Sequence, residues 1–206
     1  MTDPQTTPLN ARRRILDIAA RLFREQGYAA VSLRMIAAEA GMKAASLYYH
    51  FASKEDLVVE ILDEGIRSVQ AAVEAALAGL ETGDARLVLR SAVAAHLESL
   101  LRQSDYTSAN VRIFGQVPEA VRERSLAARR DYEKLWDDLL ARLHAETAGG
   151  SPARGTYRFA RLMILGALNA SLEWFDPERG SVEALAAEYA ALIWDGLERT
   201  IREEAA

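Results

Sequence analysis

Apolar residues in this chain recur at intervals of three and four from end to end, and the alternating Val/Ile/Thr-rich runs that mark strands are missing. That spacing gathers apolar side chains on one face of a helix and on no single face of a strand, so the chain reads as all-α. Turn residues cut the pattern into about nine helices. Ile15, Ala19, Leu22 and Phe23 make one stripe, closed by Gly27, which suits the left-handed position beyond a helix end. Ser32 can cap a short helix whose inward face is Leu33, Ile36, Ala37 and Ala40, and Gly41 stops it. After the step Gly41-Met42-Lys43 a second short helix turns Leu47 and Phe51 inward and leaves Tyr48, Tyr49 and His50 outward. Ser53-Lys54-Glu55-Asp56 has the form of a capping box and opens a longer fourth helix carrying Leu57, Ile61 and Leu62. Breaks near Gly79 to Asp84, Ser104-Asp105, Gly115 to Pro118, Gly149 to Pro152 and Asp176 to Gly180 divide the remainder.

Two short helices joined by a tight glycine-containing turn make a helix-turn-helix, whose second helix fits the DNA major groove. Docking in a groove dictates the residue types. Small apolar residues lock the pair together, glycine permits the turn, and the outward face must be polar or aromatic to meet phosphates and base edges. The net charge of −5 argues at first against a polyanionic partner. Its distribution reverses the impression, because eight basic residues stand against three acidic ones between Arg12 and Lys54, a surplus of five that leaves the rest of the chain at −10. A division follows into a helix-turn-helix domain over 9–55 and a larger helical domain over 56–206. Arg12 to Arg14 read either as an arm reaching the neighbouring groove or as a solvated charge cluster.

Much is excluded. The chain has no cysteine, hence no disulfide, thiolate or Cys-based zinc site. Gly-x-Ser-x-Gly, Gly-x-x-x-x-Gly-Lys, Gly-x-Gly-x-x-Gly and His-Glu-x-x-His are all absent, and His50, His96 and His144 lack metal-ligand spacing, so no enzyme, cofactor or metal is expected. The start lacks the apolar core of a secretory signal and no stretch is apolar enough to span a bilayer, which points to a soluble cytoplasmic protein without a membrane partner.

The segment Ser32-x-Arg34-x-Ile36-Ala37-x-x-Ala40-Gly41-Met42, followed by Ser46-Leu47-Tyr48-Tyr49-His50-Phe51 and Ser53-Lys54-Glu55-x-Leu57, closely resembles the N-terminal domain of TetR-family regulators. The resemblance implies a ligand-responsive transcription regulator, most often a repressor, that binds a palindromic double-stranded DNA operator as a homodimer. It implies phosphate contacts from Tyr48, His50 and Lys54 with Ser32 and Ser46, base-edge contacts from Ala44, Ala45 and Tyr49 with Lys43 close by, and Arg34 on the same face. Two alanines depart from relatives that carry hydrogen-bonding side chains there, which shifts specificity toward Tyr49, Lys43 and DNA shape.

The same resemblance implies dimerisation through the last two helices, and Phe159, Leu162, Ile164, Leu165, Leu168, Leu185, Tyr189, Leu192, Ile193, Trp194 and Leu197 provide suitably apolar faces. Polar or aromatic groups interrupting apolar faces mark candidates for an effector pocket: His96, Tyr106, Asn110, Phe114, Trp136, Asn169 and Trp174. The patterns Tyr132 to Trp136 and Ser171 to Phe175 look similar to TetR regulators of lipid and steroid breakdown, which implies an acyl-coenzyme A or other hydrophobic effector. A helical interaction module that works without DNA is the rival reading.

Overall fold

The computed structural model describes residues 8–80, 84–153 and 155–204. Among them are ten α-helices and no strand: α1 (Pro8–Ala30), α2 (Leu33–Glu39), α3 (Ala44–His50), α4 (Lys54–Ala78), α5 (Ala85–Glu98), α6 (Asp105–Ile113), α7 (Glu119–Arg124), α8 (Leu126–Ala148), α9 (Arg158–Trp174) and α10 (Val182–Glu204). A π-helical turn, Ser99–Gln103, continues α5. The helix beyond the expected nine comes from a break at Ser125, where the backbone turns (φ −102°, ψ 6°) without glycine or proline to announce it. No described helix is long and apolar enough to cross a membrane.

The described residues form two compact units, one of those up to Ile66 with Ser104–Arg129, the other of those within Arg67–Gln103 and from Arg130 on. In the first, the local signals act where they stand. Gly27 and Gly41 adopt φ of +78° and +66°, values that side chains with a Cβ resist; the first kinks α1 near its end and the second lies just past the end of α2. The Met35 N–H donates to Ser32 Oγ at 3.3 Å, capping α2. The Asp56 N–H donates to Ser53 Oγ at 3.0 Å while that hydroxyl donates to Asp56 Oδ2 at 2.8 Å, so Ser53 caps the start of α4.

Helices of seven residues do not persist alone, so α2 and α3 depend on burial. Ile36, Leu47 and Phe51 join Ile15, Ala19, Phe23, Leu57 and Ile61 in one core, to which α6 adds Tyr106, Ala109 and Ile113. Polar ties reinforce the packing of α6. Tyr106 donates its hydroxyl to Asp17 Oδ1 at 2.6 Å, Thr107 Oγ1 donates to the Gly65 carbonyl at 3.1 Å, and Asn110 Nδ2 donates to the Leu62 carbonyl at 2.7 Å. The helices meet so closely that a Cβ on Gly65 would stand 2.3 Å from the Tyr106 carbonyl oxygen and 2.8 Å from Asn110 Cβ.

In the second unit α5 packs along α10, and α9 touches both. Arg161 of α9 is buried, and its guanidinium meets Glu133 and Asp137 of α8, each at 2.8 Å, so the charge is answered twice.

Replacing Gly65 by alanine should favour helix by about 1 kcal/mol but force backbone apart at the α4–α6 crossing, for a net loss of about 2 kcal/mol. Urea unfolding followed by circular dichroism should show the lower midpoint; an unchanged or raised midpoint would mean the crossing has slack.

Candidate nucleic-acid interface and effector region

Leu47 and Phe51 are sunk in the first unit's core, which turns the opposite side of α3 outward. Tyr49 is 83% exposed and Tyr48 55%, the largest aromatic surface on the helix-turn-helix. His50 is half-buried and meets Tyr49 edge-on, ring centroids 5.3 Å apart. Ala45 and Ser46 are exposed, whereas Ala44 is half-buried against the core and offers less to a groove. Lys43 and Arg34 are exposed and make no ion pair among the described residues. Ser32 is exposed, its Oγ occupied as the α2 cap.

Lys54 is engaged differently. Its Nζ donates to the Tyr28 carbonyl at 2.6 Å and lies 3.9 Å from the centre of the Tyr28 ring, half-buried. Burial lowers its pKa from the ordinary lysine value, with Glu55 opposing. A phosphate at the start of α4 would have to draw the ammonium away from that carbonyl.

The basic N-terminal run lies within α1, and two of its three arginines pair with carboxylates. Arg12 pairs with Glu60 and covers the Phe51 ring at 4.6 Å; Arg13 reaches Asp17 at 3.1 Å and Glu64 at 3.3 Å. Both bind α1 to α4. Arg14 alone of the three is exposed without an ion pair among the described residues, with its guanidinium 4.0 Å from where a Cβ on Gly41 would stand. That place beside the turn was invisible in sequence, since helical phase does not tell three consecutive arginines apart by what lies across from them.

The effector candidates separate into two groups. Tyr106, Asn110 and Phe114 belong to the first unit and fasten it: Tyr106 holds Asp17, Asn110 holds Leu62 and accepts from Arg129 at 3.1 Å, and Phe114 lies 3.7 Å beneath the Arg129 guanidinium. Burial, then the Asp17 bond, raises the Tyr106 pKa far above the ordinary phenol value.

His96, Trp136 and Asn169 come together in the second unit with Tyr132, which the sequence marked only as part of a pattern and not as a pocket candidate. His96 Nδ1 is 2.7 Å from the Tyr132 hydroxyl and Nε2 is 3.1 Å from Asn169 Oδ1. The Trp136 ring stands edge-on to both His96 and Tyr132, centroids 6.4 and 6.5 Å away. Trp174, at the end of α9, is exposed. A pocket of about 430 Å³, lined by Glu133, Lys134, Asp137 and Tyr157 among others, and a shallower one of about 380 Å³, lined by Ala76, Ala94, Ala95 and Val182 among others, lie elsewhere on this unit; neither includes His96, Trp136 or Asn169.

Burial lowers the His96 pKa from 6.5 to about 4, against a smaller opposing effect of the Asn169 bond, so the ring is neutral near pH 7. The unfolded chain takes up this proton from about pH 6.5 downward and the folded chain only near pH 4, so stability is lost as pH falls through that window, by about 3 kcal/mol in all. Urea midpoints at pH 7.0 and 4.5 should therefore differ more for the wild type than for His96→Gln; equal differences would remove His96 from the acid response.

Two family models match the chain. The one described as bacterial regulatory proteins, tetR family, covers residues 15–61, and the one described as tetracyclin repressor-like, C-terminal domain, covers residues 82–197. The chain is 29% identical over 198 residues to the HTH-type transcriptional repressor KstR2 of Rhodococcus jostii, spanning 90% of each. The crystal structure of the TetR family regulator PfmR from Thermus thermophilus superposes with a TM-score of 0.71 at 30% identity, over 87% of this chain and 96% of that one. AibR, crystallised with isovaleryl coenzyme A and operator DNA, is alike in fold, with a TM-score of 0.72 at 22% identity over 89% of this chain and 96% of that one. With both models matched, the larger across more than half its length, the chain belongs to the TetR family and is a DNA-binding transcriptional regulator.

Proposed function

We propose that the protein is a cytoplasmic homodimeric repressor that reads a palindromic operator with α3 of each subunit and leaves it when a small, largely apolar effector binds within residues 56–206. The observation that carries the first half is the pair Tyr48 and Tyr49, displayed on a helix whose back is fully buried. Tyr49 and Ala45 face base edges, and Ala44, half-covered, approaches a thymine methyl. Tyr48, His50, Ser32, Ser46 and Lys54 serve the phosphates, with Arg34 and Lys43 supplying unpaired positive charge. Arg14 joins them beside the Gly41 turn.

Dimerisation is supported by apolar side chains left uncovered on the last two helices. Phe159, Leu162 and Met163 form an exposed stripe on α9, which Gly166 continues without a methyl, and Leu192 stands 71% exposed on α10. A two-fold contact between such faces makes a four-helix interface and sets two copies of α3 at the roughly 34 Å spacing of successive major grooves. Effector release is supported by the relatives: KstR2 is a repressor, and AibR was crystallised with isovaleryl coenzyme A. An acyl-coenzyme A or a comparable hydrophobic compound is the corresponding effector here. A coupling of about 1 to 3 kcal/mol between effector and operator is enough to loosen DNA up to about a hundredfold.

Sequencing genomic fragments retained by the protein should return an inverted repeat. On that repeat, Tyr49→Ala should weaken binding at least tenfold with the dimer intact by sedimentation, whereas Leu192→Asp should give monomers and lose the site; the opposite pattern would mean that reading head and interface have been exchanged. Arg14→Ala should reduce the slope of log affinity against log salt by about 0.9, the loss of one phosphate contact. Arg13→Ala, whose partners are carboxylates, should leave that slope unchanged.

A further inference from the structure

The second unit holds buried polar groups of an unusual kind for an effector region: they are almost all neutral. Its one buried cation among the described residues, Arg161, is already met by Glu133 and Asp137. His144 is occupied at Nδ1 by the Tyr157 hydroxyl at 2.6 Å. What remains is the cluster on α5, α8 and α9, in which His96 bridges Tyr132 and Asn169.

The donors and acceptors of that cluster can be followed bond by bond. Asn169 turns its Oδ1 to the imidazole, so His96 Nε2–H is the donor there and Nδ1 is left to accept from the Tyr132 hydroxyl. Both ring nitrogens are then satisfied. One donor is not. The Trp136 Nε1–H is fully buried and meets no acceptor in hydrogen-bonding geometry, although it leans on Tyr132 enough to oppose the rise that burial gives that hydroxyl's pKa. A buried donor without a partner is costly and uncommon, and here it belongs to a ring that stands edge-on to His96 and Tyr132.

We infer that the cluster of His96, Tyr132, Trp136 and Asn169 is the polar end of the effector site, and that it takes an uncharged molecule offering a carbonyl-type acceptor to the Trp136 Nε1–H. The inference rests on the effector-responsive reading above and gives it a ligand chemistry: ketones, esters, thioesters and amides qualify. A carboxylate does not, because the one buried cation among the described residues of this unit, Arg161, is already paired, and the neutral imidazole has no proton to spare for it. His96 is a positioning residue in this arrangement: Asn169 orients its ring, which stands edge-on to the Trp136 indole.

The test uses the full-length dimer without DNA and four compounds of one chain length: 2-decanone, methyl decanoate, decanoate and decane, each titrated by calorimetry. The ketone and the ester should bind at least tenfold more tightly than either decanoate or decane. Trp136→Phe, which removes the N–H and keeps an aromatic ring, should lose about tenfold in affinity for the ketone while its affinity for decane stays the same. Asn169→Leu supplies the second test should the tryptophan variant fold poorly, and should show the same selective loss. Decanoate binding as well as the ketone, equal losses for ketone and decane in the folded variants, or no binding of any of the four would overturn the inference. Release of operator DNA by the same compounds is a separate reading: ketone bound with DNA affinity unchanged would sink the regulatory proposal and leave the site chemistry standing.

Discussion

A helix of seven residues does not hold itself together, and the helix proposed here to read DNA is such a helix. Burial of Leu47 and Phe51 supplies what backbone hydrogen bonding cannot, by fixing α3 to a core shared with α1, α2, α4 and α6. Desolvation of those two side chains stabilises by a few kcal/mol and fixes orientation at the same time, since only one face of α3 is apolar enough to be covered. The outward display of Tyr48 and Tyr49 is a by-product of that arrangement. The regulator's aromatic face is therefore held from behind, and α6 with its bonds to Asp17, Gly65 and Leu62 is part of the holding.

Signals that act over a few residues were legible in the sequence. Gly27 and Gly41 interrupt helices because their backbones take positive φ, and Ser32 and Ser53 begin helices because a side-chain oxygen three residues before an unpaired N–H can reach it. The family motif lies within that range, which is why the family's N-terminal domain could be recognised from it. Contacts distant along the chain were not legible. Nothing in helical periodicity says that Tyr106 and Asn110 face Asp17 and Leu62 while His96 faces Tyr132 and Asn169, because each of these residues interrupts an apolar stripe in the same way. Lys54 is the clearest example: the motif places it at the DNA, and its ammonium rests on a carbonyl 26 residues earlier in the chain. The break at Ser125 escaped for the opposite reason, being local but made by backbone torsion in an ordinary helical composition.

The two units treat buried polarity differently. In the first, Tyr106, Thr107 and Asn110 each spend their donors on partners in neighbouring helices and fasten the packing. In the second, the charge of Arg161 is cancelled close at hand and the His96 cluster is left neutral, so the interior carries directional hydrogen-bonding groups but little field. A low-field interior discriminates by geometry and by the count of donors against acceptors, since charge complementarity has nothing to act on.

At Gly65, α4 and α6 touch backbone to backbone, with no side chain standing between them. Most helix contacts are cushioned: a small displacement is taken up by side chains changing rotamer or tilting, and fades within a few ångströms. Here there is nothing to yield. The Thr107 hydroxyl further pins the Gly65 carbonyl, so axial slip would cost a hydrogen bond. Helix α6 and the N-terminal half of α4 thus behave as one stiff piece in which a displacement of the first arrives in the second undiminished. A regulator that works by altering the spacing of two reading heads by a few ångströms has use for such a joint without play.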